Sequence, residues 1–381
     1  MKKRTIWLLT AMFVLAVPLF VSMCLLCGCA TSAELASCVE VNPSSEMNVS
    51  DFASSCREVR LEKSESCLIS NVDRLKLCGD TITLLSNNQI FLFNQKGKFL
   101  NKIGRLGRSN EEYMNVNDFQ VYGDRVYILS AYQQKIMEYS VDGTFVKNHE
   151  LDDVYYKFMV QENDKVVLAS QNSNNTHADF AWYDLKTDRI VCRVGHFDKN
   201  EGLTFTNFDS FVGVDTTLKV CFPFDYSIYS LTESNDGLQP CESFDFLTKM
   251  KLPSDKAQTD FMTLDQSTTN QNVVKFILAY SRVGSAHYLV YPLFGNTGIK
   301  TCITHIDSIG NNHTCKVGAK IDKRYPYFCI SDYKSLCGNQ LVMLAYTNAI
   351  LKFEEENNLD YYRNIGLKEG DNPIVFIYNI K

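Results

Sequence analysis

Two stretches of this chain follow one plan, about 45 residues apart. The first is Asn71-Val72-Asp73-Arg74-Leu75-Lys76-Leu77-Cys78-Gly79-Asp80, followed by Ile90-Phe91-Leu92-Phe93-Asn94-Gln95-Lys96-Gly97-Lys98-Phe99. The second is Asn115-Val116-Asn117-Asp118-Phe119-Gln120-Val121-Tyr122-Gly123-Asp124, followed by Ile136-Met137-Glu138-Tyr139-Ser140-Val141-Asp142-Gly143-Thr144-Phe145. A weaker third copy runs from Asn163-Asp164-Lys165-Val166 to Trp182-Tyr183-Asp184-Leu185. Each copy holds short apolar and aromatic runs bounded by turn residues, and Asp-Gly between such runs signals a hairpin. A repeat of roughly 40 to 50 residues carrying about four short strands is a propeller blade. Glu58 to Lys381 divides into six blades of about 54 residues or seven of about 46, and six is our expectation. Twenty Tyr and 24 Phe against eight Pro favour strands in the same way. The only helix candidates are Ser254 to Leu264 and Asn348 to Asn357. The apolar run Ile374 to Ile380 is expected to pair with a first strand near Val59 to Leu61. That pairing closes the ring and removes its exposed edges.

A family resemblance adds to this reading. The run Asn94-Gln95-Lys96-Gly97-Lys98-Phe99-Leu100-Asn101-Lys102-Ile103-Gly104-Arg105-Leu106-Gly107-Arg108 continues through Glu112-Tyr113 and Asn117-Asp118-Phe119. It resembles the six-bladed β-propeller lipoproteins of Bacteroidota, relatives of NHL-repeat propellers. Leu367-Lys368-Glu369-Gly370-Asp371-Asn372-Pro373-Ile374-Val375 resembles that family's ending, so the match brackets nearly the whole chain. The chain departs from the pattern where the family's Gly-Pro-Gly is replaced by Ser109-Asn110-Glu111. That replacement removes one stiff residue and two permissive ones.

The N-terminus carries Lys2, Lys3 and Arg4, then an apolar run from Ile6 to Cys27. This is the layout of a secretory signal, with a retained anchor as the alternative, since the run is long enough to span a bilayer. Leu26-Cys27-Gly28-Cys29 resembles a bacterial lipobox, which implies cleavage before Cys29 and acylation of its sulfur. No basic residue follows until Arg57, so no stop-transfer flank is present. Ala30 after the cysteine implies the outer membrane by the same resemblance, and the scarcity of acidic residues there favours the periplasmic face. The expected layout is a signal over 1–28, a flexible tether over 29–56 beginning at lipidated Cys29, and a propeller over 57–381. Loss of the signal makes the formal charge of -6 more negative by three, a balance with no general attraction for nucleic acid.

No G-x-S-x-G, H-E-x-x-H, P-loop or EF-hand loop occurs. Ser331-Asp332-Tyr333-Lys334 matches S-x-x-K without its partner motifs. His305 and His313, near Cys315, are the one loose histidine grouping, and surface positions account for them. Eleven cysteines besides Cys29 follow the signal. An odd number cannot pair completely, and most sit in strand-like runs as small hydrophobes. Aromatics such as Tyr155, Tyr156 and Trp182 suit either sugar stacking or packing between blades. We therefore assign no catalytic residue, no metal ligand and no cofactor. The sharpest charged feature is Arg105, Arg108, Glu111, Glu112 and Tyr113, expected on a loop at the channel rim. Arg105, Arg108, Glu112, Tyr113 and Asp118 are the candidate ligand-binding residues, with cross-blade ion pairing as the competing role. The expected function is a binding or scaffolding module for a glycan, peptide or protein partner. The alternative is an envelope enzyme, a propeller lyase, lactonase or glycan-active hydrolase, built on converging carboxylates and often a metal.

Overall fold

A computed structural model describes residues 38–171, 174–196, 208–214, 217–234, 236–248, 272–318 and 320–381. The described chain forms six antiparallel sheets of four core strands, one per blade. Blade 1 spans Arg74–Ile103 and blade 2 Asp118–Glu150, so their inner strands begin 44 residues apart, as the sequence repeat requires. Blade 3 spans Lys157–Val194 and blade 4 Phe211–Phe246. Blade 5 spans Val273–Lys316, with Ala279–Val283 innermost, and blade 6 is built from Asp332–Cys337, Gln340–Ala345, Ile374–Ile380 and Ala53–Arg60. The inner strands pack side by side around the axis.

The strands bury both faces. In blade 1, Ile90 and Leu92 face a core shared with blade 2, while Phe91 and Phe93 face one shared with blade 6. Adjacent side chains point to opposite faces of a strand, so a strand held between two sheets needs apolar residues at nearly every position. Six such cores occur, one at each junction between neighbouring blades. The hairpin after the inner strand recurs as a two-residue loop opened by glycine at positive φ: Gly79, Gly123, Gly284 and Gly338. Glycine reaches this left-handed region without the Cβ clash that penalises other residues.

Closure is made as expected between the chain ends. Ala53–Arg60 pairs antiparallel with Ile374–Ile380, from Ala53 opposite Ile380 to Arg60 opposite Ile374. Asn372, within the motif that resembles a family ending, fastens the same seam. Its amide donates to the carbonyls of Glu62 and Cys67 and accepts from the Ile69 N–H.

Of the tether expected over 29–56, the part from Cys38 on requires correction. Residues 1–37, with the proposed signal and Cys29, lie outside the described residues, whereas the described residues from Cys38 on pack on the propeller. Cys38–Val41 adds a parallel strand to the outer edge of blade 4, with Cys38 opposite Ser243 and Val41 buried. A one-turn helix at Val49–Phe52 then buries Phe52 against blades 5 and 6. An open outer edge offers unpaired backbone groups, and this segment covers part of it. Of the two expected helices, 254–264 lies outside the described residues. The other is found at Thr347–Asn357, inserted into blade 6 and closed by Asn358 at φ 53°. Glu354 on this helix is fully buried and satisfied by the Tyr327 hydroxyl and the Tyr362 and Arg363 N–H groups.

Candidate functional site: the axial charge cluster

The first residues of the inner strands meet at one end of the axis. In blades 1, 2 and 3 these are Arg74, Asp118 and Lys157. A strand wholly within an apolar core would carry no charge there, so the three positions are the break in the repeat's pattern.

Asp118 is the hub. Its side chain is 1% exposed, and Oδ1 lies 2.6 Å from Arg74 Nη1 and 2.9 Å from Lys76 Nζ. Oδ1 also accepts the Phe119 N–H, and Oδ2 accepts the Phe158 N–H from blade 3. Burial alone would raise its pKa, but Lys76 and Arg74, with Lys157 behind them, hold it well below the usual carboxylate range. Arg74 also donates to the Asn117 carbonyl, and its own pKa is raised by Asp118 and Asp209 against the effect of burial.

Lys157 is fully buried, and its Nζ has no hydrogen-bond partner among the described residues. Burial first, then the nearby Arg74, pull its pKa down to about 8, while Asp118 and Asp209 oppose the fall. Asp209, just before the inner strand of blade 4, accepts the Phe211 N–H and acts through space on Tyr333 of blade 6. Charged groups from four consecutive blades therefore share one small volume.

The sequence-predicted residues separate into two places. Asp118 is at the axis, whereas Arg105, Glu112 and Tyr113 close a loop over the outer half of blade 2. The Asn148 side chain binds the Asn110 carbonyl there, and the Tyr139 hydroxyl binds the Glu111 carbonyl. Arg105 Nε lies 2.6 Å from Glu112 Oε1 within this loop, with Arg105 75% exposed. Glu112 also accepts the Ser109 N–H, chiefly for which its pKa is lowered, so Ser109 and Glu112 hold the turn where the family pattern has Gly-Pro-Gly. Gly107 sits against that carboxylate, and a Cβ there would lie 1.9 Å from Glu112 Oε2. Tyr113 is fully buried and donates to the Ile103 carbonyl. Arg108 is exposed and pairs with no acid among the described residues.

Sequence reasoning missed Arg74, Lys76 and Lys157. The available signal was the repeat itself, since Arg74 occupies the position of Asp118 in the next copy. Elsewhere, His305 and His313 face each other across blade 5 with ring centroids 6.5 Å apart, and no metal-holding group of three or more His, Cys, Asp or Glu occurs among the described residues. The eleven cysteines from Cys38 to Cys337 are free thiols.

Fold and site together define a six-bladed β-propeller with an ion-paired axis. The chain belongs to the family described as Domain of unknown function (DUF4934), whose model matches residues 31–379. No curated protein matches it. Among solved structures it is similar to a Bacteroides fragilis protein described as exported, with 17% identity and a TM-score of 0.72, over 91% of this chain and 100% of that one. It is also similar to a duf4221 family member from Bacteroides vulgatus, with 10% identity and a TM-score of 0.49, over 86% of this chain and 97% of that one.

Proposed function

We propose that this propeller is a binding or scaffolding module of the cell envelope, receiving a glycan, peptide or protein partner at the axial end marked by Asp118. The observation that carries this reading is the convergence of Arg74, Lys76, Asp118, Lys157 and Asp209 at one end of the axis. Propellers gather connections from every blade around such an end, which makes a concave site with convergent polar groups. Lys76 is the member suited to a test, because its side chain is 20% exposed and Arg74 remains to neutralise Asp118 without it. Glycan and peptide arrays should be read with the wild type and Lys76→Gln. Binding lost at an unchanged melting temperature supports the axial site, and unchanged binding removes it.

The envelope placement rests on the lipobox-like Leu26-Cys27-Gly28-Cys29 and on the resemblance to propeller lipoproteins related to NHL repeats. In this reading Cys29 carries the lipid and the protein faces the periplasm from the outer membrane. Cys29→Ala should leave precursor or release the protein from the membrane fraction. Unchanged fractionation with the outer membrane would reject the anchor.

A further inference from the structure

We propose that the axial cluster is completed by a bound monoanion, a carboxylate group of the ligand, seated on Lys157 Nζ. This rests on the reading of the axial end as the binding site and names the chemistry it takes.

The inner strands reach forward into the next blade around the ring. Arg74 and Lys76 of blade 1 reach Asp118 of blade 2. Gln120 of blade 2 accepts the Val160 N–H of blade 3. The Ser281 hydroxyl of blade 5 donates to the Gly338 carbonyl of blade 6 at 2.6 Å, and Lys334 of blade 6 donates to the Val72 carbonyl beside blade 1 at 2.7 Å. Lys157 of blade 3 is as deeply placed as any of these, yet its ammonium meets no acceptor among the described residues.

Asp118 makes no hydrogen bond to it. Oδ1 is taken by Arg74, Lys76 and the Phe119 N–H, and Oδ2 by the Phe158 N–H. Arg74, Lys76 and Lys157 stand against Asp118 and Asp209, with Asp73 acting on Arg74 as well, and of the three cations Lys157 is the one whose charge meets no acceptor. A buried charge without a partner is strongly destabilising, and its relief here is one compact acceptor of single negative charge. A carboxylate, compact and singly charged, meets both conditions. Ammonium-to-carboxylate hydrogen bonds are short and charge-assisted, so the contact would be among the stronger ones available to a ligand.

The test is thermal unfolding of the full chain, purified in detergent, at constant ionic strength. The probes are acetate, a short peptide with a free C-terminal carboxylate, a uronic acid, and acetamide as the neutral counterpart of acetate. The expected result is a saturable rise in melting temperature with acetate and none with acetamide. Lys157→Met and Lys157→Gln should each weaken the apparent acetate affinity at least about tenfold. The second variant keeps a polar side chain should the first fail to fold. A stronger response to the peptide or to the uronic acid assigns the source of the carboxylate. Equal responses to acetate and acetamide, or equal acetate responses in wild type and both variants, overturn the proposal. Loss of array binding in Lys76→Gln without any acetate effect would leave the axial site standing and remove the anion alone.

Discussion

Arg74 Nη1 lies 2.6 Å from Asp118 Oδ1, joining the inner strand of blade 1 to that of blade 2 through a carboxylate that is 1% exposed. Removing that carboxylate leaves Arg74 and Lys76 facing each other in a poorly solvated space. Breaking a buried pair by deleting one partner typically costs about 3 to 5 kcal/mol. Asp118→Ala should lower unfolding stability by that order in urea titrations, and a change below about 1 kcal/mol would show that water already screens the cluster.

Lys157 gives a pH dependence of definite sign. Its folded pKa, about 8, lies below the ordinary value of 10.5, so the unfolded chain holds the proton more tightly. Stability therefore rises as pH climbs between these values, and the full cost of charging Lys157 is felt below about 8. The gap corresponds to roughly 3 kcal/mol. In buffer without small carboxylates, Lys157→Met should be more stable than wild type at pH 7 by that order. The advantage should shrink as pH rises from about 8 and vanish above 10.5, where Lys157 is neutral in the folded and unfolded states alike. The quantity to measure is the difference between the two proteins, because Arg74, Lys76, Asp118 and Asp209 are common to both. A pH-independent difference would contradict the assignment.

Gly97 lies where the hairpin of blade 1 meets the closing strand. A Cβ there would sit 2.0 Å from the Arg60 carbonyl oxygen, and the Glu62 N–H donates to the Gly97 carbonyl at 2.7 Å. Gly338 has φ 56° but open space around it. Gly338→Ala should cost about 1 to 2 kcal/mol, the left-handed penalty alone. Gly97→Ala should cost clearly more, since backbone must also move. Chemical denaturation of both variants separates strain from crowding, and equal losses would contradict the close approach.

The seam between blades 6 and 1 depends on Val59, 2% exposed and packed with Val375, Ile377 and Phe93. Val59→Asp places a carboxylate in that core and should detach the closing strand from Ile374–Ile380. Size-exclusion chromatography should then show self-association, because an unpaired apolar edge recruits other chains. A monomer of wild-type stability would mean the ring does not need this strand.

Much of the fold was legible because it depends on local signals. Gly79 and Gly123 mark the same turn in two copies, and Ile90 to Phe93 can bury both faces only between two sheets. The strand Cys38–Val41 was not legible, since four residues without a strong pattern pair with Ser243–Phe246 far along the chain. The site divided for a similar reason. Asp118 was reached through its motif, but Arg74, Lys76 and Lys157 read as ordinary polar positions of alternating strands until the ring places them at the axis. Arg105 drew attention by local charge density, yet its partner Glu112 lies in the same exposed loop. Arg105→Ala should leave the melting temperature close to that of wild type, as is usual for surface pairs. A large drop would give the pair a structural role between blades.

Crystals of the protein grown with bromide as the small monoanion, measured at the bromine absorption edge, decide whether the axial end receives an anion. The account predicts an anomalous peak within hydrogen-bond distance of Lys157 Nζ, between the inner strands of blades 3 and 4. Lys157 Nζ bonded to a protein acceptor, with no peak at the axis, would contradict it.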